Sequence, residues 1–161
     1  MVLRHTSVDP VVSMFDTLAL VFGPGLVAAV LWSPILLSGR IRSLFHGLPP
    51  VRSTIASYLL VAIALSLPFG IGTGIVFTTT STEGAALSNA LLDMAFVLTI
   101  AYVGVLPLTS VIGLPRIGID WDPTNYRLGT WLLLVTVALW YAAVFVIPLA
   151  FFAFILALPT G

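Results

Sequence analysis

The chain has 161 residues, of which 60% are hydrophobic and 7% are charged, and its formal net charge is zero. Soluble domains contain about half apolar and about a quarter charged residues, so this composition predicts a membrane protein. The six arginines balance six acids and lysine is absent, which excludes a basic surface for nucleic acid and fits a GC-rich prokaryotic genome. The absence of cysteine excludes disulfides, thiolate catalysis and cysteine-ligated metals.

Four continuously apolar segments follow one another along the chain, at residues 17–37, 55–77, 85–114 and 131–158. A helix of about 20 apolar residues crosses the ~30 Å hydrocarbon core of a bilayer, whereas barrel strands would alternate in polarity. We therefore predict an all-α, polytopic integral membrane protein with four transmembrane helices in an up-down bundle. The connections are too short for a separate domain, so residues 1–161 are predicted to form one.

Arginine is distributed unevenly between the two sides of such a bundle. Five of the six arginines fall in the two connections on one side: Arg40, Arg42, Arg52, Arg116 and Arg127. Only Arg4 belongs to the other side. Because Lys and Arg accumulate in cytoplasmic loops, we predict a cell-membrane protein with both termini outside and the two Arg-bearing connections in the cytoplasm.

The second apolar segment carries small residues at intervals of four, which places them on one helix face: Ala62, Ser66, Gly70, Gly74 and Thr78. Lipid supplies no hydrophobic force between helices, so small residues that permit close approach are typical of their interfaces. The pattern predicts a helix-packing face, used either within the bundle or between copies of the chain.

Proline interrupts every predicted span. Four positions are predicted hinges: Pro24, Pro68, Pro107 and Pro148. Each proline removes a backbone hydrogen bond and favours a kink, a defect that neighbouring helices tolerate in membranes. We expect several of the four helices to be kinked.

Asp93 is the outstanding polar residue, because it lies well inside the third apolar segment, ~12 Å along the helix from its start. A carboxyl group at this depth is expected to face the bundle interior or a wet cavity. Asn89 lies one turn earlier on the same face, and Asp16 lies at a shallower level of the first helix. These three residues form a predicted proton or cation site. A carboxyl group that only hydrogen-bonds neighbouring helices is the alternative.

The number of spans and the pair of aspartates resemble those of the bacterial lipoprotein signal peptidases, whose paired carboxylates activate water. The spacing of Asn89 and Asp93 differs from the motif of that family, and the fourth segment contains no acid. The catalytic pair is therefore not carried over to this chain, and neither an enzyme activity, a metal site nor a cofactor is predicted.

We predict a structural or accessory membrane subunit that associates through small-residue helix faces. Its expected partners are the lipid bilayer and either further copies of itself or a larger membrane complex. The alternative is a small oligomeric transporter or ion-coupled permease in which Asp93 is the coupling carboxylate.

Overall fold

The computed structural model describes residues 22–49, 53–81 and 84–158 of the chain. Within these ranges the protein consists of helices and connections, with no strand. The helices follow in chain order: α1 Phe22–Leu37, α2 Gly39–Gly47, α3 Thr54–Thr79, α4 Gly84–Arg116 and α5 Leu128–Ala157.

Three of these helices are long and apolar enough to cross a membrane. Their mean hydropathies are 2.2 for α3, 2.1 for α4 and 2.4 for α5. A fourth candidate span exists if α1 and α2 count as one, although the chain turns by 118° between them. The all-helical architecture is thus confirmed, and α3, α4 and α5 begin and end within three residues of the predicted bounds.

The first connection contains a helix, α2, where the sequence analysis expected only a short loop. Ile41, Leu44 and Phe45 of α2 are buried, whereas Arg42 is exposed. The spacing of the buried residues places them on one face of a helix, so α2 is amphipathic and packs against the bundle. Its nine residues are too few, and too polar on average, to stand out as an apolar segment.

Two aromatic side chains of α1 and α5 bind backbone carbonyls on neighbouring helices. The Trp32 indole nitrogen donates a hydrogen bond to the Val137 carbonyl of α5 at 3.0 Å. The Tyr141 hydroxyl of α5 donates to the Ala62 carbonyl of α3 at 2.5 Å. The rings of Trp32 and Tyr141 also contact each other edge to face, with centroids 4.7 Å apart. These contacts connect α1, α3 and α5 in one buried aromatic cluster.

Two further tyrosines extend this pattern to two more pairs of helices, α1–α3 and α3–α4. The Tyr58 hydroxyl of α3 donates to the Ala29 carbonyl of α1, and the Tyr102 hydroxyl of α4 donates to the Leu65 carbonyl of α3. Buried hydroxyl groups require such partners in apolar surroundings. No buried side-chain nitrogen or oxygen in the described residues lacks a hydrogen-bond partner.

The helices continue past the prolines in their interiors. Pro68, Pro107 and Pro148 lie inside α3, α4 and α5. Just after Pro107, α4 makes a π-helical turn over Thr109–Gly113, an irregularity of the kind that accompanies kinks and functional sites. The hinge roles of the four prolines stay predictions, and the 118° turn between α1 and α2 lies away from all of them.

The backbones of α4 and α5 approach each other closely at Gly84. A Cβ atom added to Gly84 would lie 2.2 Å from the Leu156 carbonyl oxygen of α5. This acceptor belongs to the backbone, so it can move only together with its helix. Glycine is therefore required at this crossing for packing.

We expect Gly84→Ala to lower the thermal unfolding temperature of the detergent-solubilised protein, because overpacking of this kind costs about 1–3 kcal/mol. Gly70→Ala is the matched control: an added Cβ there would meet nothing within 4 Å, and Ala is about 1 kcal/mol more favourable than Gly in a helix. Equal unfolding temperatures for the two variants would contradict the close approach at Gly84.

Candidate functional site

Asp93 lies on the outside of α4 in the single chain. Its side chain is exposed, as are those of Asn89 one turn earlier and Val97 one turn later. Within the described part of the chain, no hydrogen bond or ion pair reaches Asp93. The sequence predicted that this carboxyl group faces the bundle interior or a wet cavity, and in the single chain it does not face the bundle interior.

The register of α4 explains this orientation. Gly84 faces α5, and Tyr102 faces α3. Each of them is nine residues from Asp93, which corresponds to about two and a half helical turns. Asp93 must therefore point away from the side on which α4 packs.

The outer face of α4, as we define it, consists of the exposed residues in line with Asp93. From the polar pair Asn89 and Asp93 towards the C-terminal end of α4, this face is apolar. It includes Phe96, Val97, Ile100 and Leu108, which are 49% to 66% exposed. Gly104 belongs to the same face, and a Cβ added there would meet nothing within 4 Å. The polar pair thus lies at one end of a long apolar surface.

The contacts of neighbouring residues define the level of Asp93 in the bundle. Leu91 packs in a buried cluster with Val76 of α3, and a Cβ added to Gly72 of α3 would lie 3.0 Å from the sulfur of Met94. Asp93 is therefore level with the apolar part of α3 between these two contacts. This level is within about two turns of the threonine-rich end of α3.

Of the three residues predicted to form a polar site, the structure brings two together. Asn89 and Asp93 lie on one exposed face of α4, as the four-residue spacing predicted. Asp16 lies outside the described residues. Four cavities of about 180 to 670 Å³ lie among the described residues, and Asp93 lines none of these four.

The small-residue face of α3 is divided into two halves. Ala62 and Ser66 are buried in the bundle, where the Ala62 carbonyl accepts the hydrogen bond from Tyr141. Gly70, Gly74 and Thr78 are exposed. Both glycines line an apolar groove of about 670 Å³ that is bordered by aromatic side chains of α3 and α5 and by prolines of α1 and α5. Among the described residues of the predicted face, only those of its first half are buried.

A polar turn between α4 and α5 is centred on Asp122. Thr130 Oγ1 donates to Asp122 Oδ2 at 2.5 Å, the backbone N–H of Thr124 donates to Oδ1 at 3.0 Å, and that of Tyr126 donates to Oδ2 at 3.2 Å. Burial alone raises the pKa of Asp122, but these hydrogen bonds outweigh it and hold the pKa below its ordinary value. The ionised carboxylate is therefore part of the folded turn.

The same turn is tied to the helices around it. The Trp121 indole nitrogen donates to the Ser110 carbonyl in the π-helical turn of α4, and Ser43 of α2 donates to the Trp121 carbonyl, both at 2.7 Å. Asn125 and Tyr126 adopt positive φ angles of 58° and 53°. For tyrosine this conformation is strained, and it persists because the Asp122 carboxylate accepts its N–H. These contacts give the turn a structural role, and no group of three metal-ligating side chains occurs among the described residues.

We expect Asp122→Asn to lower the free energy of unfolding at pH 7 by about 1–3 kcal/mol. The asparagine NH2 group is itself a donor and would face N–H and O–H donors that now bind a carboxylate oxygen. The pKa of Asp122 is lower in the folded protein than its ordinary value of 3.8. Ionisation therefore stabilises the folded protein above pH 3.8, and this advantage disappears as the pH falls through the folded pKa.

Thermal unfolding at pH 7 and pH 3 would test this expectation, with Asp120→Asn as the control. Asp120 is an exposed acid of the same turn that accepts one hydrogen bond, from the Tyr126 hydroxyl, and an asparagine oxygen can also accept this bond. A deficit of Asp122→Asn that is equal at both pH values would contradict a role for the ionised carboxylate.

The family model described as "Domain of unknown function (DUF8162)" matches residues 12–160, which is most of the chain. No curated protein and no solved structure matches the chain. The description of the matched family carries no activity, so a function has to be argued from the geometry of the exposed helix faces.

Proposed function

This chain belongs to the DUF8162 family, and we propose that it is a non-enzymatic, multi-pass membrane protein that acts as a structural subunit of a membrane assembly. One observation carries the proposal: Asp93 lies on the outer face of α4, among apolar residues, with no partner in the described part of its own chain. An isolated chain would expose this carboxyl group to lipid.

The hydropathy and length of α3, α4 and α5 support three membrane crossings. We assign a fourth crossing to the first apolar segment, residues 17–37, of which α1 is the described part. We place α2 along the inner membrane surface, because the chain turns by 118° between α1 and α2. There its buried residues face the bundle while Arg40 and Arg42 meet the headgroups. Together with the excess of arginine in both connections on this side, this arrangement supports cytoplasmic connections and external termini.

The energetics of a carboxyl group in hydrocarbon favour a protein partner for the outer face of α4. Insertion scales assign about 2.5–3.5 kcal/mol to an Asp at the centre of a membrane helix, with less towards the surface. Acidic residues in membrane spans accordingly face protein or water in almost all cases. Since Asp93 faces away from its own bundle, we assign its partner to another subunit.

Transport coupled to Asp93 is the alternative function, and it requires a polar path to the carboxyl group. Asp93 lines none of the four cavities described above, whose linings are almost entirely apolar. Assembly therefore accounts for the position of Asp93 with fewer assumptions than a path through the single chain.

Photo-cross-linking in native membranes tests the assembly role. We expect a photoreactive amino acid at Val97, on the outer face of α4, to form covalent adducts with protein. The control position is Ile147 on α5, which is 68% exposed compared with 62% for Val97 and should give adducts with lipid. Absence of protein adducts from Val97 would show that this face contacts lipid, and the assembly role would be rejected.

A further inference from the structure

We infer, on the basis of the assembly role proposed above, that a second copy of this chain covers the outer face of α4. The two copies form a parallel dimer around an axis along the membrane normal. In this dimer Asn89 and Asp93 of each chain lie within hydrogen-bond reach of the same two residues in the other chain.

Depth in the membrane is the first reason for choosing a second copy as the partner. The polar pair Asn89 and Asp93 occupies only one end of an otherwise apolar face. A partner must therefore present polar groups at that level and apolar groups elsewhere. A second copy inserted in the same orientation meets both requirements, because a two-fold axis along the membrane normal places identical residues at identical depths.

Chemical complementarity is the second reason. The Asn89 amide group supplies two donors and one acceptor, whereas the Asp93 carboxylate supplies acceptors. The pair therefore complements itself when it is duplicated across a two-fold axis, and no basic residue is required from the partner. The Cα–Cβ bond of Asp93 tilts towards the N-terminus of α4, which brings its carboxyl group towards the level of Asn89.

The apolar part of the face fits the same arrangement. Asp93, Val97, Ile100 and Gly104 follow one another at intervals of four, three and four residues, which is the heptad spacing of a helix pair that crosses at a small angle. Gly104 has open space beside it, so the backbones of the two α4 helices can approach closely on the C-terminal side of the polar pair. The face thus offers a continuous line of contact along α4.

Cysteine cross-linking gives a direct test, because the chain contains no cysteine of its own. A single introduced cysteine can form a disulfide only with another copy or with a different protein. We expect Val97→Cys and Ile100→Cys to give a band of twice the monomer mass on oxidation in native membranes. Ile147→Cys, on an exposed surface of α5, is the matched control and should remain monomeric.

Substitution of Asp93 tests the polar contact itself. Asp93→Leu removes two interhelical hydrogen bonds per dimer, so we expect the dissociation constant of the dimer to rise about tenfold. Asp93→Asn keeps the size of the side chain and one acceptor oxygen, to which the Asn89 amide of the other chain can still donate, and should retain the dimer. Since Asp93 contacts nothing in the described part of its own chain, both variants should fold, which helical circular dichroism would verify.

The outcomes separate this inference from the assembly role. A dimer that is equally abundant with Asp93 and with Asp93→Leu would overturn the polar contact. Adducts of Val97 with a protein of different mass, without a disulfide-linked homodimer, would overturn the second copy as the partner while keeping the assembly role. Absence of any protein adduct would reject both.

Discussion

Hydrogen bonds from aromatic side chains to backbone carbonyls hold the four long helices in register. Helices in lipid gain little from the hydrophobic effect when they associate, so packing and polar contacts determine how they fit together. An indole N–H or a tyrosine hydroxyl that donates to one carbonyl of a neighbouring helix defines both the distance between the two helices and their relative position along the helix axes. Trp32, Tyr58, Tyr102 and Tyr141 each make such a bond, and α3 takes part in three of the four.

The same constraint decides which surface of α4 is left for a partner. The bond from Tyr102 to α3 and the close approach at Gly84 set the rotation of α4 about its axis. Asp93 lies on the opposite side of the helix from both, so the contacts that stabilise the bundle also expose its carboxyl group. The Asp93 carboxyl group, which is costly to place in hydrocarbon, is thus directed outward. This is why we infer a contact between subunits.

Much of the fold was predictable from local features of the sequence. Long apolar runs predicted α3, α4 and α5 closely, because hydropathy and helix length are properties of short stretches of chain. The shared face of Asn89 and Asp93 followed from their spacing. Helix α2 was missed because its amphipathic pattern is short. Whether Gly70 and Gly74 pack within the bundle was left open by the sequence, since small-residue spacing indicates a packing surface without specifying what covers it.

The sequence by itself determined a chain with helices of membrane-spanning length, the excess of arginine in two connections and the polar pair on one face of α4. These properties depend only on the order of residues along a helix. Only the tertiary structure decided that this face points away from the bundle and that half of the α3 small-residue face is buried. Those outcomes depend on the rotation of each helix against its neighbours, and contacts between residues far apart in the chain set that rotation.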